Sequence, residues 1–479
     1  MKILNLLFFL PALFSTLQIY SAIPMEFGKH DGGEYCYRIP GSRSGRMFPE
    51  QMYKHDVGGV DDDPADLAPV QKQNLSIVEF RNLFPAFKIY VHDHPLVYFD
   101  SAATAQMPQM VLDEMIDYYQ NYKSNVGRGL YAFAEHATKK FEQSRRKVAN
   151  FINAKKEEII FTQGSTAGIN LVAQMWAQHH LQAGDEIIVS EVEHNANFIP
   201  WQQLAKDRGL ILTRVPLSAQ GIVDPQALQT YLSGKTKLVA ITHQSNILGT
   251  SNDVAAIARA VHAVGAKVLV DGAQSIAHHK IDVRDLDCDF FVFSGHKLFG
   301  PTGVGVLFVK RELFDACKLV NFGGGAVYSV TPEHTDFKMP PHCFEPGTQA
   351  IAEVIGLGAA IDFVQKYIDF EKIAEHETAL VCKLARALQN MPGITLLSPI
   401  PLAGQHNNLV TFTVQNLHAY DVACFLDEYG IAVRAGFHCV QPYHDKLGGN
   451  ASVRVSLSAY NTEQEIDFLI DCLQRLLKM

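Results

Sequence analysis

The sequence predicts an α/β fold in which a large domain on a mostly parallel sheet precedes a smaller α+β domain. Short runs rich in Val and Ile alternate with amphipathic stretches for about 200 residues, as expected of a sheet covered by helices on both faces. After about Pro340 the texture changes to a long helical stretch, short strands and a final helix. At 479 residues and 47% apolar content, the chain can bury more than one core and is too apolar for a disordered polymer.

Residues 1–22, MKILNLLFFLPALFSTLQIYSA, carry a single charge at Lys2 before an apolar run that closes on Ser21 and Ala22. This resembles a secretory signal peptide. Pro11 suits a signal better than a spanning helix, whereas Tyr20 is too large for the cleavage position it would occupy. A retained membrane anchor is the alternative, and an internal start at Met25 would omit the segment. Residues 23–74 are polar, with VGGVDDDPAD at 57–66, and read as a linker or extension.

The large domain is expected over 75–340. Its strands are read from EEIIFT (157–162), DEIIVS (185–190), LILTRVP (210–216), KLVAITH (237–243), KVLVDGA (267–273), DFFVFSG (289–295) and GVGVLFV (303–309), all as buried strands. Apolar residues at 111, 112, 115, 116 and 119 give Pro108–Lys123 a helical spacing. Gly164–His179 and Asn252–Gly265 look similar. The small domain is expected over 341–479, with helix over 350–391, strand NLVTFTV (408–414) and a last helix over 462–477.

Composition excludes several classes. A net charge of -9, with no dense Lys/Arg run, argues against nucleic-acid binding. Eight Cys without a CxxC pair argue against a disulfide scaffold or a zinc knuckle, and no metal ligands are expected. Outside the first 22 residues no stretch is apolar and long enough to span a bilayer.

Chemistry is concentrated at predicted strand ends, where open parallel sheets bind ligands. Asp271 follows VLV and Lys297 follows FVFSGH. Either alone is commonly a solvated strand end. Together they suit an aldehyde cofactor, which a lysine holds as a Schiff base while an acid keeps its pyridine nitrogen protonated. Gly164-Ser165-Thr166 follows a strand and opens a helix, an arrangement that serves either as an anion cradle or as an ordinary N-cap. Ser294 and His296 flank Lys297 and could bond the same phosphate.

These stretches, with YFDSAATAQMP (98–108), FTQGSTAGINLVA (161–173), EHNANFIPWQ (193–202), THQSNILGT (242–250), FSGHKLFGPTGVGVLF (293–308), FEPGT (344–348), GIAVRAGFHCVQP (430–442) and RVSLSAYNT (454–462), resemble the pyridoxal-phosphate-dependent cysteine desulfurases of the short-loop kind, class-V aminotransferase relatives of selenocysteine lyase. The resemblance runs from about Ile77 to the C-terminus. It implies the fold type I of pyridoxal-phosphate enzymes, and removal of sulfur from L-cysteine to give alanine and a persulfide for an acceptor protein, in iron–sulfur cluster assembly or other sulfur transfer.

The resemblance also implies roles. Lys297 would hold pyridoxal phosphate and Asp271 would face its ring nitrogen. Gln274 and Asn246 would lie near the phenolic oxygen, and His194 would stack on the ring. Ser165, Thr166, Ser294 and His296 would hold the phosphate, with Thr348 reaching that of the neighbouring subunit of a homodimer. Arg454 would pair with the substrate carboxylate, a task its planar fork suits, and Arg434 would assist. Cys439 would be the nucleophile, with His438 and Arg434 expected as positive neighbours that favour its thiolate. The other cysteines fall in segments read as buried or in the leader. Gly127, Ala167, Asn195 and Phe437 depart from the family pattern. A selenocysteine lyase, an aminotransferase or β-lyase, and a non-catalytic homologue are the alternatives. The leader points to export or membrane attachment, and the family resemblance to the cytoplasm.

Overall fold

The computed structural model describes residues 72–479 and the backbone of two short strands before them. The chain divides into units 1–61 and 62–479. In the first, Glu26–Lys29 and Tyr35–Arg38 pair antiparallel. The expectation for residues 1–22 lies outside the described residues.

In the second unit, helix Ile77–Asn82 and the short hairpin Tyr90–Val91/His94–Pro95 precede strand β1 (Val97–Tyr98). Its main sheet is built from β2 (Ile159–Thr162), β3 (Glu186–Ser190), β4 (Ile211–Val215), β5 (Thr236–Thr242), β6 (Lys267–Asp271), β7 (Phe290–Ser294) and β8 (Gly305–Val309). They lie in the order β2-β8-β7-β6-β5-β3-β4. Only β8 runs antiparallel to its neighbours, β7 and β2, so the sheet is mostly parallel as the alternation required. Six of the seven strands are buried almost throughout. β4 is the exception: it was read as buried, yet it forms the sheet edge and exposes Ile211. That edge position leaves Ile211 and Arg214 exposed.

Helices cover both faces, giving two apolar clusters: one under Phe141, Val268 and Phe293, the other under Trp201, Leu238 and Val292. The helical stretch expected over 350–391 is two helices, Ile351–Tyr367 and Phe370–Gln389, separated where Asp369 caps the second through the Glu371 N–H. The first packs among the residues of the large sheet's core. The second joins β9 (Ile394–Leu396), β10 (Leu409–Val414), β11 (Ile431–Ala432), β12 (Arg434–Gly436), β13 (Ser452–Ser456) and the last helix, Glu463–Leu476. A capping box between Thr462 and Glu465 starts that last helix.

The third core gathers residues 380–473 with Val97 and Phe99 from the N-terminal side. β1 pairs in parallel with β11 as a separate two-stranded sheet, and Asp100 bridges to Ser456 of β13, so this segment is tied to the smaller domain although it precedes the large sheet in sequence. No helix among the described residues is long and apolar enough to cross a membrane.

Candidate active site

The carboxyl ends of β2, β5, β6 and β7 open on a cavity of about 320 Å³, within the range of small-ligand sites. Strand β2 ends in Thr162, and Gly164 turns the chain into helix Ser165–Val172 with φ 151°, a conformation that L side chains rarely adopt. A Cβ at Gly164 would also stand 3.3 Å from Ser294 Oγ. The two segments therefore approach closely enough for Ser165 Oγ and Ser294 Oγ to bond at 2.7 Å, while the Ser165 N–H donates to Ser294 Oγ at 2.9 Å. Thr166 and His296 line the same end. His296 Nδ1 is buried without a partner among the described residues, and burial lowers its pKa to about 4. Hydroxyls, a helix N-terminus and an unpaired ring nitrogen form a donor set suited to a phosphate.

Strand β6 delivers Asp271 and β7 leads through Gly295–Lys297 to the lysine. Asp271 Oδ1 accepts the Ala273 N–H at 2.9 Å. Burial pushes this carboxyl up, opposed by that N–H and by Lys297. Burial lowers the Lys297 amine, an effect partly offset by Asp271. Lys297 is half-buried and lines the cavity. A lysine amine whose pKa burial lowers, beside a buried acid whose pKa burial raises, fits a pyridinium aldehyde, and the cavity residues as a set fit pyridoxal phosphate.

His194 follows β3 and accepts the Ala196 N–H on Nδ1 at 3.0 Å. This fixes its neutral tautomer with Nε2 protonated, and burial with nearby Lys297 and Arg454 lowers its pKa to about 3. Gln274 donates Nε2 to Ala102 O at 2.8 Å. Asn246 lines the cavity, but its side-chain Nδ2 donates to His438 O at 2.8 Å, and its backbone carbonyl accepts from Arg454 Nη1 at 2.9 Å.

Arg454 is buried on β13 and Arg434 is half-exposed on β12. Cys439 is exposed in a two-residue left-handed turn, with φ 49° at His438 and 58° at Cys439. The turn is clamped by the Asn195 N–H on Cys439 O at 2.8 Å and by the Asn246 amide on His438 O. Lys297, Arg434 and Arg454 all interact electrostatically with Cys439, and all four line the cavity.

Every expected site residue except Thr348 lines this cavity; Thr348 is exposed. Two expectations change. His438 is no positive neighbour: burial and Arg454 lower its pKa to about 2, so it is neutral. It is held by Ser452 Oγ at 3.0 Å, which His444 shares at 2.9 Å. Among the remaining cysteines Cys424 is exposed rather than buried, because it lies on the solvent side of helix Ala419–Asp427. Of the departures, Asn195 contributes only its backbone to the thiol loop, Phe437 packs edge-on against His444 with ring centroids 5.5 Å apart, and Gly127 donates its N–H to Thr138.

The sequence reading missed Asp100. Its carboxylate accepts from Arg434 Nη2 at 2.6 Å and from Arg454 Nη2 at 3.2 Å. The signal was present: like Asp271, Asp100 ends an apolar run just before a turn of small residues. Gln244, also in the cavity wall, was quoted only within its motif. No metal ligands had been expected. His278, Glu377 and His406 do gather ligand-type atoms, but here they are hydrogen-bonded: both rings pair with Glu377, and Asn408 Nδ2 donates to His278 Nε2, leaving Nδ1–H for the carboxylate.

The aminotransferase class-V family model matches residues 97–469. A cysteine desulfurase from Serratia proteamaculans is 44% identical over 408 residues, covering 85% of this chain and 99% of that protein. Among solved structures, the apo cysteine desulfurase of Thermococcus onnurineus NA1 superposes with a TM-score of 0.81 at 35% identity, covering 85% of this chain and all of that one. The S-sulfonic acid form of the cysteine desulfurase CsdA from Escherichia coli gives 0.78 at 37%, covering 84% and 99%.

Proposed function

This chain belongs to the class-V aminotransferase family and is a pyridoxal-phosphate-dependent cysteine desulfurase acting on L-cysteine, and from that premise we propose how its residues divide the work. The observation that carries the reading is one cavity lined by Lys297, Asp271, Arg454 and Cys439.

Bound in the cavity, pyridoxal phosphate supplies an electron sink for the carbanion at the substrate's α-carbon. Ser165, Thr166, Ser294 and His296 bind its phosphate. Asp271 holds the proton on the ring nitrogen, and His194 covers one ring face, an aromatic contact worth about 1 kcal/mol. Lys297 Nζ attaches the cofactor and then moves the substrate's α-proton, a task favoured by the direction in which burial shifts its pKa, downward. Arg454 anchors the substrate carboxylate, with Arg434 assisting. The Cys439 thiolate attacks the substrate sulfur: the new S–S bond forms as the carbon–sulfur bond breaks, the carbon regains a proton, and the products are alanine and a Cys439 persulfide.

The exposure of Cys439 supports onward transfer to an acceptor protein, with iron–sulfur cluster assembly as the use. Exposed Thr348, with exposed Leu130, Tyr131 and Phe133, supports a homodimer in which Thr348 serves the neighbouring phosphate. For residues 1–22 we keep the signal-peptide reading, which mass spectrometry of the native N-terminus tests. The catalytic assignment is tested by Cys439→Ser with L-cysteine. Loss of alanine formation supports it, and alanine release at the wild-type rate refutes it.

A further inference from the structure

Asp100 has no part in the scheme above, yet its surroundings give it one. Arg434 and Arg454 are directly paired residues of the antiparallel strands β12 and β13. Like charges directly opposite one another destabilise a sheet, and with Arg454 only 3% exposed solvent screens this pair poorly. Asp100 is placed between them. Its Oδ1 accepts from Arg434 Nε and Arg454 Nη2, both at 3.2 Å, and its Oδ2 accepts from Arg434 Nη2 at 2.6 Å. The backbone holds the carboxylate there: Asp100 bridges to Ser456 on β13, Ser456 N–H donates to Phe99 O at 2.8 Å, and Ala102 N–H donates to Ser456 Oγ at 3.0 Å.

The Arg454 guanidinium is thus constrained from two sides, by Asp100 on Nη2 and by Asn246 O on Nη1. Its remaining group, Nε, is buried without a partner among the described residues, on a side chain that lines the cavity. Two guanidiniums and one carboxylate leave one positive charge, the complement of a single carboxylate.

We propose that Asp100 is the positioning residue for substrate-carboxylate recognition: it orients Arg454 so that Nε–H remains for the substrate, and it sets the local charge to match one carboxylate. This rests on the reading of Arg454 as the carboxylate anchor. The chemistry it selects is an α-amino acid rather than the corresponding amine.

The test uses the full-length holoenzyme, with L-serine and ethanolamine as competitive inhibitors of L-cysteine turnover. The two differ by the carboxylate alone. A hydrogen bond to a charged group contributes about 1.5–3 kcal/mol, or roughly 10–100-fold in affinity. Asp100→Asn should therefore raise KM for L-cysteine at least about tenfold with kcat within about threefold, and should cut the preference for L-serine over ethanolamine by the same factor. The double variant Asp100→Asn with Arg434→Gln removes one cation along with the anion, avoiding an unbalanced charge that could prevent folding. It should lose the preference beyond what Arg434→Gln alone loses.

A kcat/KM that falls with the inhibitor preference unchanged overturns the proposal, since a merely structural role would weaken both inhibitors equally. Arg454→Lys separates the two levels. If it loses the preference while both Asp100 variants keep it, the Asp100 proposal alone fails. If it keeps the preference too, the Arg454 reading fails first.

Discussion

The two residues assigned the covalent chemistry sit in opposite surroundings. Lys297 follows a central strand whose residues are buried throughout, and its amine is tuned by burial and by Asp271. Cys439 sits in an exposed left-handed turn of the smaller domain, held by hydrogen bonds to its backbone rather than to its thiol. At the cofactor end, charge is shaped by exclusion of water. At the sulfur end, position is shaped by a backbone clamp and the thiol stays accessible, as passing sulfur onward requires.

The contrast is broken most severely at Lys297. On the roles proposed for it, Lys297→Ala would remove both cofactor attachment and proton transfer, and should lower alanine formation at least about 10³-fold, measured by amino-acid analysis. Cys439→Ser should lower it at least about 10²-fold, yet leave the melting temperature within a degree or so, because exposed substitutions away from packing cost at most about 0.5 kcal/mol. An equally large stability loss at Cys439 would erase the distinction. Ser294→Ala breaks the Ser165–Ser294 hydroxyl pair and should weaken cofactor retention by about tenfold, read by dialysis and absorbance.

Acid stability sharpens the comparison further. Burial lowers His194 to about 3, His243 to about 4, and His279 and His438 to about 2. Their folded pKa values lie below the unfolded value of 6.5, so their contribution is complete above pH 6.5 and is lost as pH falls. Each proton costs up to about 1.4 kcal/mol per pH unit. Glu193 acts in the opposite sense: burial raises it from 4.5 to about 7, so its contribution is present at low pH and is lost as pH rises through that window. These histidines, with His296 at about 4, outweigh Glu193, and the holoenzyme's melting temperature should fall between pH 6.5 and pH 5. Glu193→Gln should make that fall steeper. The smallest effect is expected at Cys424→Ser, where turnover should be unchanged although that thiol is as open to alkylation as Cys439.

Much of the cofactor end was legible because strand-end position is a local property. The runs before Asp271 and Lys297, and the Gly-Ser-Thr turn after β2, carry their meaning within about ten residues. What was not legible depends on distant pairing. Asp100 meets Arg434 and Arg454 from 334 and 354 positions away. The charge state of His438 follows from burial under Ser452 and Arg454, which no local pattern reveals. β4 has the composition of a central strand, and only the strand order shows it to be an edge. The family resemblance supplied the nucleophile, since the only local signal, the neighbours His438 and Arg434, is halved by the burial that leaves His438 neutral.

The central claim is that sulfur leaves the cavity on Cys439. Holoenzyme mixed with one equivalent of L-cysteine and no acceptor, then digested and analysed by peptide mass spectrometry, tests it directly. The account predicts one added sulfur on the Cys439 peptide, matched by one alanine released. Alanine formed with Cys439 unmodified, or with the added sulfur on Cys424, would contradict it.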